Sequence, residues 1–343
     1  MQKKKYDFLL TFLITTITLT LFLIFASGCG KKTEETKAKG PFTIGFDKWV
    51  GFAPFFLAKE KGYFGELQVK IYFTDTETER REGLNSGRFQ MICETMDMFQ
   101  ANREAPDYPG KIVFALDESS GVDGVLAASD IKSLKNLQGK KVAAEPGLPA
   151  YFILLSLLDK EEMTLKDINF QKMGSKEAAD AFAEGKVDVA GTYEPYLSSA
   201  LKKRRGARIL ISSDNLPQRI VDVAVVDSRV LKKRSGDLRL VYEGWLKAVD
   251  FIKDNTEESL SIMAKTYNME PGELKEALSR LNFFSHDDNK EYFGTLKSPG
   301  RVSEIFEEIG MMLDMNKLTK AKSPASTKVN LSIIYPQKET GKK

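Results

Sequence analysis

The stretch PFTIGFDKWVGFAPFFLAKEKGYF, residues 41–64, contains the alternation that decides the fold. Its first part, Phe42–Phe46, is a short apolar run that is typical of a buried strand. Its second part has Pro54 at the first turn of a helix and Gly62 near the helix end, the usual asymmetry of helix termini. A strand, a loop and a helix in this order indicate the repeating unit of an α/β protein.

The same alternation continues to about residue 226. Short β-branched or apolar runs predict further strands at 69–73, 89–93, 111–116, 142–144, 168–173, 187–191, 208–211 and 220–226. Helical patterns lie between these runs; Ser175 can cap one such helix and Gly185 can end it. The sequence therefore predicts an α/β fold with mixed, mostly parallel sheets and flanking helices.

Beyond residue 226 the pattern changes to consecutive helices. Two apolar stripes recur at three- and four-residue steps, and we expect both to face a core. They are Leu238, Val241, Trp245, Val249 and Ile252, and then Val302, Ile305, Phe306, Ile309, Met312 and Leu313. The last segment, 321–343, mixes Lys, Ser, Thr and Pro and is predicted to be a flexible tail.

The N-terminal residues carry an export signal. A basic start, QKKKYD, precedes an apolar run of about 19 residues that begins at Phe8 and closes in FASGCG. This order predicts a lipoprotein signal peptide over 1–28, with Cys29 lipidated and 29–40 as a polar tether. Ala26 is a departure, because bacterial signals of this kind usually carry Leu there. A transmembrane anchor is the alternative, since the run approaches the length that spans a bilayer.

Composition excludes several classes of function. The formal charge of the 343 residues is +3, and removal of 1–28 leaves +1, so no electrostatic footprint for nucleic acid is present. His286 is the one histidine, and Cys93 lies in an apolar run that suits a buried small hydrophobe. We therefore predict no catalytic residue, no metal site and no cofactor.

Four segments at the carboxyl ends of predicted strands carry a resemblance to a known family. They are DKWVGFAPFFLAKEKGYF at 47–64, EPGLPAYFILLSLL at 145–158, VDVAGTYEPYLSSAL at 187–201 and IVDVAVV at 220–226. Together they resemble the extracytoplasmic solute-binding proteins of ABC importers, in the nitrate, sulfonate, taurine and thiamine-pyrimidine group. The resemblance covers about residues 41–318.

The resemblance implies a two-lobed periplasmic-binding-protein type II fold that closes over a small solute. One lobe would be 41–124 plus 227–320 and the other 125–226, with crossover strands near 124–128 and 222–226. The implied partners are an ABC permease and its ATPase, with the binding protein a monomer held outside the cytoplasm by its lipid. The implied role is capture and delivery, without enzymatic chemistry.

The predicted binding site lies beyond the strand ends, where helix N-termini present unpaired N–H groups. Its polar residues are Asp47, Glu94, Thr95, Glu145, Thr192, Glu194 and Asp222. Its aromatic walls are Trp49, Phe52, Tyr151, Tyr193 and Tyr196, and Gly51 and Gly147 would allow close backbone approach.

Five carboxylates in one cleft favour a neutral or cationic, nitrogen-bearing solute such as a pyrimidine. Two alternatives stay open. The carboxylates can instead cap helices, and Asp222 can pair with Arg219. The same fold can also bind an anion such as a sulfonate, taurine or nitrate, if waters and protonated carboxyls accommodate it.

Two other classes of protein remain as rivals. A thiamine-pyrimidine synthase of fungal type resembles the same fold but consumes one of its own histidines, and His286 lies outside the matched segments. An anchored sensor would bind a solute and report to a receptor. The basic run KKRR at 202–205 ends a predicted helix, where cations oppose the dipole, so we interpret it as a solvated helix end.

Overall fold

The quoted stretch folds as the sequence predicts. Strand β1 (Phe42–Phe46) leads through a 3₁₀ turn at Val50–Phe52 into helix α1 (Pro54–Glu60), which begins at the proline. The rings of Phe46 and Phe55 stack with centroids 5.9 Å apart, so strand and helix share one core. The computed structural model describes residues 40–103, 108–295, 297–316 and 325–335.

The remaining strands lie close to their predicted positions. They are β2 (Val69–Phe73), β3 (Met91–Thr95), β4 (Gly110–Ser119), β5 (Asp123–Ala127), β6 (Lys141–Ala144), β7 (Asn169–Lys172), β8 (Val189–Tyr193), β9 (Arg208–Ser212), β10 (Val221–Asp227) and β11 (Leu281–Phe283). The short strand β11 was not predicted, because three residues give too little alternation to detect.

The strands form two mixed sheets. The first has the order β11-β4-β10-β3-β1-β2 and the second the order β7-β6-β8-β5-β9. Strand β1 is parallel to β2 and β3, and β6 is parallel to β7 and β8. Strands β10 and β5 run antiparallel to both of their neighbours. Most strands of each sheet therefore point one way. The reversed strands are β10 and the short edge strand β11 in the first sheet, and β5 in the second.

Two short links connect the sheets. One lies at residues 120–122, between β4 and β5, and the other at 213–220, between β9 and β10. We call the part built on the first sheet lobe 1 and the part built on the second sheet, 123–212, lobe 2. The crossovers were predicted slightly too late, near 124–128 and 222–226. Those residues lie within β5 and β10, since their apolar runs belong to buried strands.

Helices cover the sheets, as predicted. After α1 they are α2 (Glu77–Ser86), α3 (Met96–Asn102), α4 (Pro149–Lys160), α5 (Ser175–Ala183), α6 (Tyr196–Lys203), α7 (Ser228–Lys233), α8 (Ser235–Asp254), α9 (Thr256–Tyr267), α10 (Pro271–Leu278), α11 (His286–Phe293), α12 (Arg301–Met315) and α13 (Ala325–Lys328). Both predicted stripes face the core: Trp245 of α8 contacts Phe55 with ring centroids 4.5 Å apart, and Phe306 of α12 is fully buried.

Helix α12 contacts both lobes. It packs against α3 of lobe 1 and against α4 of lobe 2. The Ser156 hydroxyl of α4 lies 3.4 Å from the Met312 sulfur, and the Leu165 backbone N–H donates to the Asn316 side chain at 3.2 Å. The sequence analysis placed this helix in lobe 1 alone, because periodicity shows which face of a helix is buried but not what covers it.

The described part of the predicted flexible tail, 325–335, packs onto lobe 1. Val329 forms a parallel bridge with Ile112 beside β4, and the side chains of Ile333 and Ile334 are buried. The Tyr335 hydroxyl donates to the Lys290 carbonyl at 3.2 Å. The run LSIIY thus supplies the apolar side chains by which these residues pack. Flexibility of the segment 321–343 stays a prediction.

Several N-terminal predictions lie outside the described residues. They are the signal peptide at 1–28, the tether up to residue 39 and lipidation of Cys29. Among the residues that are described, no helix is both long and apolar enough to cross a bilayer.

We expect Ile334→Ala to lower the free energy of unfolding of the full chain by about 2–4 kcal/mol, because a buried side chain is truncated. Urea unfolding followed by circular dichroism measures this change. Ser326→Ala, at an exposed position of the same segment, is the control and should change stability by less than about 0.5 kcal/mol. Equal effects of the two substitutions would mean that the segment is not packed.

Candidate functional site

Acidic residues meet at one edge of the first sheet. Asp47 directly follows β1, and Thr95 is the last residue of β3. Asp222, near the start of the reversed strand β10, pairs in register with Thr95 on one side and with Asp117 of β4 on the other. Asp47, Thr95 and Asp222 were predicted from the sequence, whereas Asp117 was not, although it directly follows the strand predicted at 111–116.

Asp117 and Asp222 form a buried carboxylate pair. Asp117 is fully buried, and neither of its carboxylate oxygens has a hydrogen-bond partner within the described residues. Burial raises the pKa of Asp117 to about 7, against the opposing influence of Asp222 and of the Trp49 indole. Burial, then the charges of Asp117 and Asp47, raise the pKa of Asp222 well above its ordinary value.

Two more carboxylates lie in the same region, and the sequence analysis missed both. Asp97, in the first turn of α3, is fully buried, and both of its oxygens lack a hydrogen-bond partner in the described structure. Burial raises its pKa to about 7. Asp123, the first residue of β5, accepts a hydrogen bond from the Ser119 hydroxyl at 2.8 Å, and burial raises its pKa to about 6. Their positions beside strand ends were the available signal.

Other predicted carboxylates are occupied by partners in the protein. Asp47 accepts from the Arg80 guanidinium at 3.0 Å and from the Trp49 backbone N–H at 3.0 Å. Glu94 accepts a hydrogen bond from the Tyr108 hydroxyl, and burial raises its pKa to about 7. Arg80 is itself buried, and no sequence pattern indicated it, since it lies in the polar helix α2.

In lobe 2, Glu145 occupies the N-terminus of α5. Its carboxylate accepts from the Ser175 backbone N–H at 2.8 Å and from the Ser175 hydroxyl at 3.0 Å. Thr192 donates its hydroxyl to the Ser175 carbonyl at 2.9 Å. Gly147 adopts a positive φ of 91° in the loop before α4. Glu145 therefore has the capping role that the sequence analysis kept as its alternative.

Glu194 joins the two lobes. It accepts from the Ser198 backbone N–H at 3.2 Å within lobe 2, and forms an ion pair at 2.8 Å with Arg280, which follows α10 in lobe 1. The predicted pairing of Asp222 with Arg219 does not form: Arg219 instead pairs with Glu308 of α12 at 2.9 Å. The links and the ion pair together define the relative position of the lobes.

The predicted aromatic residues separate into core and site positions. Phe52 is buried against Phe46, with ring centroids 5.0 Å apart, and Tyr151 is buried beside Phe170. Tyr193 and Tyr196 contact each other edge to face with centroids 5.5 Å apart. They line a cavity of about 650 Å³ on lobe 2 together with Glu145 and Ser175.

Tyr193 lies where the lobes meet. Burial raises its pKa to about 12, and the neighbouring charges that add to this effect include Asp47 of lobe 1 and Asp123 of lobe 2. Trp49 lies beside Asp117, and its backbone carbonyl accepts from the Tyr267 hydroxyl at 2.9 Å. Tyr267 was not predicted, because the helix α9 that carries it is distant in sequence from the strand ends.

The 3₁₀ turn at Val50–Phe52 approaches the site so closely that position 51 requires a glycine. A Cβ at Gly51 would lie 2.8 Å from a carboxylate oxygen of Asp117 and would also clash with the Trp49 indole. The absence of a side chain therefore allows the turn after β1 to contact β4.

Other side chains that the sequence singled out as reactive or charged are buried or make contacts within the protein. The Nδ1 atom of His286 lies 3.0 Å from the Tyr242 hydroxyl, and burial lowers the pKa of His286. Cys93 is buried, which raises the pKa of its thiol well above the ordinary value. Arg204, in the basic run, is half-buried and donates to the carbonyls of Phe182 and Val187 near the end of α5, so the predicted solvated helix end does not hold for this residue. Within the described residues, no group of His, Cys, Asp and Glu side chains could hold a metal ion.

The fold and the strand-edge site define a two-lobed binding protein, and comparison with known proteins gives its family. The NMT1/THI5-like family model matches residues 49–259, which is more than half of the chain. The chain belongs to this family.

A relative and two solved structures illustrate the similarity. An aliphatic sulfonates-binding protein of Bacillus subtilis (strain 168) is 23% identical over 292 residues, 80% of this chain and 85% of the relative. The periplasmic aliphatic sulphonate binding protein of Escherichia coli has a TM-score of 0.70 at 19% identity, covering 88% of this chain and 94% of that one. The desulfurization enzyme DSZB is more distant, with a TM-score of 0.56 at 13% identity, covering 85% and 97%. The two structures show that the fold is that of periplasmic binding proteins.

The raised pKa values of the buried carboxyls predict how stability depends on pH. Between about pH 4 and pH 7 the folded protein holds protons that the unfolded chain has lost, so its free energy of unfolding falls as pH rises through this window. We expect the full chain to melt at a higher temperature at pH 5 than at pH 8. Calorimetry at a series of pH values measures the slope.

Asp117→Asn should reduce the total fall in the free energy of unfolding across this pH window by on the order of 2–4 kcal/mol, since one pKa unit corresponds to about 1.4 kcal/mol. Asp250→Asn, at an exposed position on α8, should leave the slope unchanged. If Asp117→Asn left the slope at its wild-type value, Asp117 would not carry a raised pKa.

Proposed function

We propose that this chain is the extracytoplasmic solute-binding component of an ABC importer. The observation that carries the proposal is the meeting of Asp117 and Asp222 from lobe 1 with Asp123 and Tyr193 from lobe 2, at the point where two links join the lobes. Ligands of open α/β sheets bind beyond the strand ends in this way. Membership of the NMT1/THI5-like family supports the same role.

The proposal includes the partners and the location expected from the sequence. An ABC permease and its ATPase would receive the solute, and the binding protein would act as a monomer. The signal pattern and Cys29 favour a lipid anchor outside the cytoplasm. Closure would bring lobe 1 and lobe 2 together around the solute.

An aliphatic sulfonate is the solute class that the relatives favour. The Bacillus subtilis and Escherichia coli proteins are both named for sulfonates, so the anionic alternative has better support than the neutral or cationic solute predicted first. The N-terminus of α4 has no side-chain cap and no acidic residue in its first turn. Pro149 has no N–H and the Tyr151 N–H donates to the Leu148 carbonyl, so the Ala150 N–H is the donor that this turn could offer to a sulfonate oxygen. Glu145 and Glu194, in contrast, bind N–H groups of α5 and α6.

A nitrogen-bearing solute is the second candidate, and a specific observation favours it. Asp97 and Asp117 are fully buried without hydrogen-bond partners in the described structure. Because an anion beside unpaired carboxylates is strongly unfavourable, the part of the solute that contacts them should donate hydrogen bonds. A solute that carries both a sulfonate group and a nitrogen with N–H donors would agree with the relatives and with the buried carboxyl groups.

A binding role has better support than an enzymatic one. The sulfonate proteins with which we compare this chain are binding proteins, and the desulfurization enzyme is the more distant structure. His286, which a synthase-like reaction would need, is bonded to Tyr242 at the start of α11. Within the described site, no nucleophilic side chain has a histidine beside it that could act as its base.

Deletion of the gene should abolish uptake of the solute at micromolar concentration. Uptake of labelled ethanesulfonate, taurine and an aminomethylpyrimidine by the deletion strain and by the complemented strain measures this loss. The purified full chain should also be stabilised by about 2.7 kcal/mol when its solute is present at a hundredfold the Kd. Unchanged import of all three compounds would contradict the proposal.

The Arg280–Glu194 ion pair predicts a modest effect on solute affinity. The pair joins the lobes and is partly exposed, so its loss should cost about 0.2–1 kcal/mol. We expect Arg280→Gln to weaken binding by about two- to fivefold in calorimetric titration. Arg205→Gln, at an exposed position in the basic run, is the matched control. An unchanged Kd for Arg280→Gln would show that the pair does not stabilise the solute-bound arrangement.

A further inference from the structure

Four aspartates at the lobe junction form a group that we call the acidic cluster: Asp97, Asp117, Asp123 and Asp222. They come from four different elements, α3, β4, β5 and β10, of which β5 belongs to lobe 2. Each is at least nine-tenths buried. The fold thus brings together four carboxyl groups that are distant in sequence and removes them from water.

The acidic cluster contains more hydrogen-bond acceptors than the surrounding protein satisfies. Both oxygens of Asp97 and both oxygens of Asp117 are buried without a hydrogen-bond partner within the described residues. The hydroxyl of Thr95, at the end of β3, is also buried and acts on Asp97 as a neighbouring donor, which opposes the rise in its pKa. Asp123 receives one hydrogen bond, from Ser119. Buried carboxylates in proteins are normally paired or hydrogen-bonded.

No ion pair involving the acidic cluster is present in the described part of the chain. The nearby Arg80 pairs with Asp47, and its charge also lowers the pKa of Glu94. The influences on the four pKa values of the cluster come from burial, from hydrogen bonds and from other carboxylates, not from a cation. The described part of the protein therefore places no cation against these four carboxyl groups.

An organic cation fits the surroundings better than a metal ion. The cluster lacks the arrangement of side chains that holds a metal, as noted above for the described residues. Trp49 borders Asp117, and Tyr193 faces the junction from lobe 2. Aromatic faces beside carboxylates bind alkylammonium and amidinium groups through hydrogen bonds and cation–π contacts.

We propose that the solute carries a protonated nitrogen and that Asp117 and Asp222 bind this group, with Asp97 beside them. This inference rests on the proposed function, because it assigns one end of the solute to the same site. A protonated amine or amidine supplies both the charge and the N–H donors that the cluster lacks. An aminoalkanesulfonate would place its ammonium group on lobe 1 and its sulfonate group toward α4 of lobe 2.

Matched pairs of compounds that differ only in the amino group test this inference. The pairs are 2-aminoethanesulfonate with ethanesulfonate, 3-aminopropanesulfonate with propanesulfonate, and 5-aminomethyl-2-methylpyrimidine with 2,5-dimethylpyrimidine. Calorimetric titration of the full chain gives each Kd. We expect at least one amino compound to bind at least tenfold more tightly than its partner. The pair in which this occurs identifies whether the protonated nitrogen belongs to a sulfonate or to a pyrimidine.

Two isosteric variants locate the binding group. Asp117→Asn and Asp222→Asn should each weaken binding of the amino compound at least 30-fold, whereas Asp250→Asn should leave its Kd unchanged. Both variants should keep the fold, because asparagine has nearly the same shape as the protonated carboxyl group that it replaces. Circular dichroism and the melting temperature check this. Weaker binding of the amino compound, with unchanged binding of its amine-free partner, supports the inference.

Three results would overturn the inference. They are tighter binding of the amine-free member in every pair, an unchanged Kd for the amino compound in both variants, and no measurable binding of any amino compound at 10 mM. None of these results affects the proposed function, whose failure appears separately as unchanged import in the deletion strain. The two proposals can therefore fail independently.

Discussion

The buried hydroxyl of Ser213 holds together the two links on which the arrangement of the lobes depends. It accepts a hydrogen bond from the Gly121 backbone N–H at 2.8 Å and lies 2.9 Å from the Ser119 hydroxyl. A second contact, from the Ser120 hydroxyl to Asp214 at 2.7 Å, joins the same links. Because the links are tied to each other, the reversed strands β5 and β10 leave a common point. The two sheets therefore present their strand ends to each other, and the acidic residues meet there.

Local sequence patterns predicted most of the fold. The strand and helix at 41–64 were placed correctly because apolar runs, Pro54 and Gly62 act within a few residues of each other. Contacts between distant segments were not predictable in this way. The packing of α12 on both lobes and the return of 325–335 to β4 depend on which surfaces meet, and periodicity does not contain that information.

The candidate site was predicted in part. Position beyond a strand end led to Asp47, and the same rule applied to β4 would have selected Asp117, which pairs in register with Asp222. This rule could not show which carboxylates already have hydrogen-bond or ion-pair partners within the protein. Glu145 caps a helix and Asp47 pairs with Arg80, so the buried carboxyl groups that lack a cation are largely residues that were not predicted from the sequence. Partners of a charge lie far away along the chain, and a single sequence does not reveal them.

Helix α12 gives the protein a way to transmit occupancy of its site. Since it packs against α3 and α4 at once, the lobes cannot approach each other without α4 sliding along its surface near Ser156 and Met312. Packed helices accommodate such shear in small steps. If the chain binds a solute as proposed, closure would displace these two helices relative to each other, and a membrane protein in contact with both could distinguish the loaded state from the unloaded one without touching the solute.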